Sequence, residues 1–192
     1  RTPAVVGDDE YERLLKEVFD ATSKLLGREP TAHRGPESEE GWKVAGFQAT
    51  APDREFRGGG LLGLHCLLHA LEHHPATCAK LLNGPFPFAA ASINMTLVAA
   101  RLAGVASADD AMKASISDKS PPHAPYHCRS LLATSHDGFF EVHALALDAL
   151  ERARSDVDAG AMDFMGCAVA AREEVSVLLS HAPKDVDALK KL

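Results

Sequence analysis

Residues 42–64 read Trp42-Lys-Val-Ala-Gly-Phe-Gln-Ala-Thr-Ala-Pro-Asp-Arg-Glu-Phe-Arg-Gly-Gly-Gly-Leu-Leu-Gly-Leu64. The stretch contains the only tryptophan and a turn signal at Pro52-Asp53, and it ends in an apolar run. Three successive glycines, 58–60, precede that run. Glycines give up side-chain packing and add backbone entropy that folding must overcome. They therefore indicate a close approach or unusual dihedral angles, and Arg57 beside them can project.

Helical periodicity continues on both sides of this stretch. Apolar residues recur at helical spacing in 8–26, 61–73, 75–82, 88–102, 138–154 and 163–180. We expect a short helix that starts at 38–41 and carries Trp42, and another at about 107–115, whereas the proline-rich segment 117–136 predicts a long loop. No segment shows the sustained alternation typical of strands. The sequence therefore predicts an all-α fold, a single-domain irregular bundle of about six to eight helices.

Composition excludes several classes of protein. The 192 residues are 46 % apolar and only 6 % aromatic, which favours helices packed through small side chains. The net charge of −7, without a long Lys/Arg run, argues against nucleic-acid binding. No apolar stretch is long enough to predict a membrane span. The chain begins with Arg1 rather than Met, which suggests a piece of a longer protein, and its four cysteines, which form no Cys-x-x-Cys pair, are expected to be reduced and partly buried.

The stretch 42–64 resembles the ELMO domain family. The family pattern is a Trp, a short gap, Gly-Phe-Gln, a Pro, Asp-Phe-Arg-Gly and then Gly-Leu-Leu-Gly-Leu. The chain supplies Trp42, Gly46-Phe47-Gln48, Pro52, Glu55-Phe56-Arg57-Gly58 and Gly60-Leu61-Leu62-Gly63-Leu64, and the later blocks 85–96 and 162–164 also look like the family. The chain departs from the pattern at Glu55, where the family usually has Asp, and at Arg54, where it often has Thr.

The resemblance covers roughly residues 38–180, which is most of the chain. We therefore expect an N-terminal helix and linker at 1–37 and an ELMO domain at 38–182, packed together as one globular unit.

The resemblance also implies a function. The members of the family that resemble this chain are GTPase-activating proteins for Arf and Arf-like small GTPases, and Arg57 stands at the position of the arginine that looks like their arginine finger. A planar guanidinium can contact two phosphate oxygens at once, and a finger supplied in trans contributes roughly 10³- to 10⁵-fold in rate. The expected partner is a GTP-loaded Arf or Arf-like GTPase. The chain lacks a Gly-x-x-x-x-Gly-Lys-Ser/Thr loop, so we expect no intrinsic active site, no cofactor and no GTP binding of its own.

Seven residues are expected to support the Arg57 loop or contact the partner, and they are Trp42, Gln48, Arg54, Glu55, Phe56, Gly58 and Gly59. Arg54 is the rival finger. A structural role for Arg57 is the alternative: it could pair with Glu55 or Asp53, or bond carbonyls between helices. Gln48 either satisfies the nearby backbone or braces the Arg57 loop.

Two other functions compete with GTPase activation. The first is a non-catalytic interaction or adaptor module in small-GTPase, phagocytosis or cytoskeletal signalling, as in related ELMO adaptors that lack the arginine. The second is a metal-dependent hydrolase built on His65, His69 and His73, which follow one another at i, i+4 and i+8. No glutamate follows the first histidine as a zinc protease requires, and the second cluster, His123, His127 and Cys128, is weaker, so we expect no metal. We expect a cytoplasmic protein, with peripheral membrane association through its GTPase partner.

Overall fold

The computed structural model describes residues 8–29, 31–35, 38–48, 52–57, 59–105 and 128–192. Every regular element in these ranges is helical, so the predicted all-α class is confirmed for them. The α-helices are α1 Asp9–Leu25, α2 Ser38–Val44, α3 Gly60–His73, α4 Pro75–Leu82, α5 Phe88–Leu102, α6 Arg129–Thr134, α7 Gly138–Asp156, α8 Phe164–Ser180 and α9 Val186–Leu189, and there are two 3₁₀ helices, Pro52–Arg57 and Ala161–Asp163. None of the helices in these ranges has the length and apolar character needed to cross a bilayer.

The main helices begin and end close to the predicted residues, and two short helices were not predicted. The prediction of a loop throughout 117–136 is wrong at α6, and no helix was expected at α9. Helices of six and four residues are too short to display a 3.6-residue period in the sequence. The one local signal at α9 is its cap, Asp185, which accepts a hydrogen bond from the Ala188 N–H at 2.8 Å. The predicted helix at 107–115 lies outside the described residues.

The chain forms two compact units, Arg1–Thr96 and Leu97–Leu192, whose boundary falls within α5. In the first unit, α1 packs against α3. The N-terminus of α1 is capped by Asp8, whose carboxylate accepts hydrogen bonds from the backbone N–H groups of Glu10 and Tyr11. One face of α1 is buried and supplies much of this unit's core through Tyr11, Leu14, Leu15, Val18 and Phe19.

Helical spacing in the two most apolar segments predicts one core under the Arg57 loop, lined by Leu61, Leu64, Leu68, Ile93 and Leu97, and the structure differs from this in part. Leu61 and Leu64 of α3 and Ile93 of α5 are buried as expected, but Leu68 is only half-buried and Leu67 is fully buried instead. Leu97 of α5, also expected in this core, is half-buried and belongs to the second unit. Because α3 is apolar nearly all round, its periodicity does not say which of two adjacent leucines faces the core.

The second unit is built on the pair α7 and α8, which contact each other. Arg152 of α7 donates two hydrogen bonds to Oε1 of Glu174 on α8, at 3.0 and 2.5 Å. The chain end is tied back to this pair by an ion pair of 3.0 Å between Lys190 and the buried carboxylate of Glu141. The Thr134 hydroxyl donates to the Lys184 carbonyl at 2.7 Å, so the segment preceding α9 is also held against α6.

Candidate functional site

The motif that contains Arg57 folds as the 3₁₀ helix Pro52–Arg57 in the first unit. Hydrogen-bond geometry in a 3₁₀ helix is poorer than in an α-helix, and runs beyond three or four residues are uncommon. A six-residue example therefore depends on contacts with the rest of the fold. The structure supplies such contacts at Asp53, Glu55 and Phe56.

The strongest of these contacts is a polar network around Asp53. Its carboxylate accepts two hydrogen bonds of 2.8 Å from the guanidinium of Arg34 and one of 2.6 Å from the Tyr11 hydroxyl. The same guanidinium donates to both oxygens of Glu12, at 3.0 and 2.8 Å. One arginine therefore joins α1, the segment 31–35 and the 3₁₀ helix.

This geometry sets the protonation states of the network. The hydrogen bonds from Arg34, supported by the Tyr11 hydroxyl, hold the pKa of Asp53 below its usual value although burial opposes the shift. Burial, and after it the hydrogen bond to Asp53, raises the pKa of Tyr11. The two carboxylates likewise raise the pKa of Arg34. At neutral pH the network therefore holds a neutral Tyr11 phenol, the Arg34 cation and the Asp53 carboxylate.

Trp42 anchors the segment that carries Arg34. Its side chain is fully buried between Phe19 and Phe47, with ring centroids 4.7 Å away on each side. The indole Nε1–H donates to the backbone carbonyl of His33 at 2.9 Å. The tryptophan of the motif thus holds the residue next to Arg34.

Phe56 is the apolar anchor of the 3₁₀ helix. It has no exposed surface, and its ring centroid lies 5.8 Å from that of Phe47. A side chain on Gly63 would begin 3.5 Å from the Phe56 ring, so that glycine lies directly against it. A side chain on Gly59 would begin 3.3 Å from Gly63 Cα, which explains one of the glycines before α3 by close backbone approach.

Gln48 and Glu55 are joined in a way that the sequence did not indicate. The backbone N–H of Gln48 donates to Oε1 of Glu55 at 2.5 Å. Gln48 itself is exposed. The connection between the Gly-Phe-Gln segment and the 3₁₀ helix is therefore made by the Glu55 carboxylate, which receives a backbone hydrogen bond.

Arg57 is the last residue of the 3₁₀ helix, and its side chain and the whole of Gly58 lie outside what the structure describes. Arg54, the rival finger, is exposed on the same helix. Of the two carboxylates considered as partners for Arg57, that of Asp53 is engaged by Arg34 and Tyr11. The roles predicted for Arg57 and for the residues around it remain predictions.

Sequence reasoning missed the three residues that complete the network, Tyr11, Glu12 and Arg34. Tyr11 falls within the predicted helix 8–26, where its spacing indicates only an apolar contact, and Arg34 lies among charged residues in the predicted linker. Arg34 and Asp53 are nineteen positions apart. Nothing local in a sequence marks such a pair, so no signal in a single chain points to it.

The histidines considered for a metal lie mainly along α3. His65 Nε2 is 3.4 Å from Oε1 of Glu10 on α1, and the rings of His69 and His73 pack with centroids 4.5 Å apart. His123 and His127 lie outside the described residues, whereas the Cys128 thiol, a weak donor, lies 3.8 Å from the Leu102 carbonyl. His65 thus lies beside a carboxylate of α1, and Cys128 lies beside a backbone carbonyl.

Comparison of the sequence with known protein families shows to which of them the chain belongs. The sequence profile of the ELMO/CED-12 family matches residues 1–167, from before α1 into the first turn of α8. The chain belongs to the ELMO/CED-12 family. The ELMO/CED-12 match includes the whole Asp53 network and the 3₁₀ helix that ends at Arg57.

Two relatives in the ELMO/CED-12 family come from Dictyostelium discoideum. ELMO domain-containing protein C is 42 % identical over 57 residues, which are 29 % of this chain and 9 % of that protein. ELMO domain-containing protein B is 31 % identical over 98 residues, which are 48 % of this chain and 32 % of that protein. The matched part of this chain thus spans a third or less of either relative. No solved structure matches the chain significantly.

Proposed function

We propose that this chain is a GTPase-activating protein for Arf or Arf-like small GTPases and that Arg57 is its arginine finger. The ELMO/CED-12 family is associated with small-GTPase partners. The observation that carries the proposal is the position of Arg57. It ends a 3₁₀ helix that is held at Asp53, Glu55 and Phe56, and glycines follow it.

An arginine finger needs a firm base and freedom at its tip. The base is the 3₁₀ helix, in which Phe56 is buried and Asp53 is bound by two hydrogen bonds from Arg34. Arg34 already engages the Asp53 carboxylate, which is one of the two carboxylates considered as structural partners for Arg57. In the proposed complex Arg57 contacts the γ-phosphate oxygens of a docked GTPase, which gain charge in the transition state.

The test is single-turnover GTP hydrolysis by a panel of Arf and Arf-like GTPases with and without this chain. We expect stimulation of at least one of them. Arg57→Ala and Arg57→Lys should each remove most of the stimulation, because a lysine presents a point charge and not a two-pronged donor. The matched control is Arg54→Ala, which removes an exposed arginine from the same helix and should leave stimulation within about twofold.

Binding must be measured beside catalysis. If Arg57 acts only in the transition state, Arg57→Ala should weaken binding to the GTP-loaded GTPase far less than it slows hydrolysis. A variant that loses binding and hydrolysis equally would place Arg57 in the docking surface only. Full stimulation by Arg57→Ala, or binding to a GTPase without any stimulation by the unmodified chain, would favour the non-catalytic adaptor function.

A further inference from the structure

Arg34 bridges α1 and the 3₁₀ helix that carries Arg57. Its guanidinium reaches Glu12 on α1 and Asp53 on the 3₁₀ helix with four hydrogen bonds between 2.8 and 3.0 Å. It also lies 6.0 Å from the centre of the Tyr11 ring. All of its partners are themselves on regular elements, so the contacts fix one helix relative to another.

The position of Arg34 is itself determined by the core. His33, the residue before it, has its carbonyl bound by the indole of the fully buried Trp42. The Nε2 of His33 also lies 3.6 Å from the Glu12 carboxylate. An unbroken series of contacts therefore runs from the aromatic core through His33 and Arg34 to Asp53, four residues before Arg57.

We propose that Arg34 is a positioning residue for Arg57 and that it acts by holding Asp53 and thereby the orientation of the 3₁₀ helix. The inference rests on the proposed function, since it concerns the placement of the same finger. Its physical basis is that the helix lacks enough internal hydrogen bonding to hold its own orientation. A small displacement at its base is carried to its last residue, and misplacement of a catalytic group by about 1 Å can cost on the order of 100-fold in rate.

The chemistry requires an arginine at this position. Asp53 and Glu12 each receive two bonds from one planar group, and the fixed fork of a guanidinium matches two carboxylates in this way. A lysine would keep the charge but could not make paired contacts with both. Arg34→Lys should therefore behave more like Arg34→Ala than like the unmodified chain.

The first experiment is amide hydrogen exchange on the intact 192-residue chain, which needs no GTPase. In Arg34→Ala the amides of residues 53–57 should exchange at least about tenfold faster, whereas those in the middle of α3 and α8 should keep their rates. Asp53→Asn, which removes the other partner and leaves Arg34 bound to Glu12, should produce the same local change. Unchanged exchange of 53–57 in both variants would overturn the inference, as would a uniform increase across all helices.

The second experiment separates positioning from docking by titrating the chain against a GTP-loaded GTPase that it stimulates. Arg34→Ala should lower the maximal hydrolysis rate about tenfold or more and leave the half-saturating concentration within about threefold. Arg57→Ala added to Arg34→Ala should cost less than Arg57→Ala alone, because a misplaced finger has less to lose. The control is Arg13→Ala, which removes an arginine paired with Glu17 on the exposed side of α1 and should change neither quantity.

The two ideas fail in different ways. If Arg57→Ala retains full stimulation, Arg57 is not an arginine finger, and the positioning role proposed for Arg34 is also wrong. If Arg57→Ala is inactive but Arg34→Ala keeps the full maximal rate, the proposed function stands and the positioning role of Arg34 is wrong. A change in half-saturating concentration alone would likewise contradict positioning, because it would make Arg34 part of the docking surface.

Discussion

The backbone N–H of Gln48 is bound to the carboxylate of Glu55, with 2.5 Å between nitrogen and Oε1. The bond joins two residues that are seven positions apart in the motif. The resembling family usually has Asp at position 55, and the side chain of Glu is longer by one methylene. The residue that departs from the family pattern therefore makes a backbone contact within the motif.

Shortening the Glu55 side chain should weaken its hydrogen bond with the Gln48 backbone. We expect Glu55→Asp to lower the free energy of unfolding by about 1 kcal/mol, because the shorter carboxylate has to strain to reach the Gln48 amide. Glu55→Gln keeps an acceptor of the same length and should cost less. Urea denaturation followed by circular dichroism measures both, and a Glu55→Asp variant as stable as the unmodified chain would show that the reach is unimportant.

Gly46 should tolerate no side chain. Its φ of +80° disfavours other residues, and a Cβ there would lie 2.6 Å from Phe88 Cβ and 2.9 Å from Phe88 N. We expect Gly46→Ala to lower the free energy of unfolding by about 3 kcal/mol or more, from backbone strain of about 1–2 kcal/mol plus overpacking.

Gly27 is the matched control for this variant. It has a similar φ of +67° but nothing within 4 Å of a Cβ, so Gly27→Ala should cost only the strain. Equal costs for the two variants, measured by thermal and urea unfolding, would mean that Phe88 moves aside freely.

Leu64 and Leu68 offer a second matched pair, on adjacent turns of α3. Leu64 has no exposed surface, so Leu64→Ala should cost about 2–5 kcal/mol of unfolding free energy. Leu68 is half-buried, and Leu68→Ala should cost clearly less. A larger loss at Leu68, measured by urea unfolding, would contradict the observed orientation of α3.

The Asp53 network should make the folding stability of the chain depend on pH in the acid range. Since the hydrogen bonds from Arg34 lower the pKa of Asp53 in the folded chain, its contribution to stability is present above the unfolded pKa of about 3.9 and is lost as pH falls through the lower folded pKa. The stability advantage of the unmodified chain over Asp53→Asn should therefore be constant near neutrality and shrink below about pH 4. Melting temperatures from pH 7 to pH 2.5 check this, and an advantage that grows on acidification would contradict it.

The thiols should be unreactive until the chain unfolds. All four cysteines are free and buried, and burial raises the pKa of Cys66 and Cys78 to about 12 and that of Cys128 to about 11. Because the thiolate is the nucleophile, labelling by iodoacetamide at pH 8 should be at least about 100-fold slower in the folded chain than in urea. Rapid labelling of any one of them would show that its surroundings open readily.

Much of the helical structure could be predicted because its determinants are local. The predicted helices 75–82 and 88–102 coincide with α4 and α5, since Pro75 suits a first helical turn and Asn83-Gly84-Pro85 separates the two helices. The limit of α1 near Gly27 follows in the same way, and that glycine has a φ of +67°. Trp42 and Phe56 also stood out from the motif before their contacts were known.

The sequence by itself thus determined the helical class, the bounds of the long helices and the motif that holds Arg57. Only the tertiary structure decided that Leu67 rather than Leu68 is buried, that Glu55 binds the Gln48 backbone, and that Arg34 holds Asp53. The physical reason is range. Helix formation depends on neighbours within a few positions, whereas the Arg34–Asp53 pair is nineteen positions apart and forms only when the packing of α1, Trp42 and the 3₁₀ helix brings the two groups together.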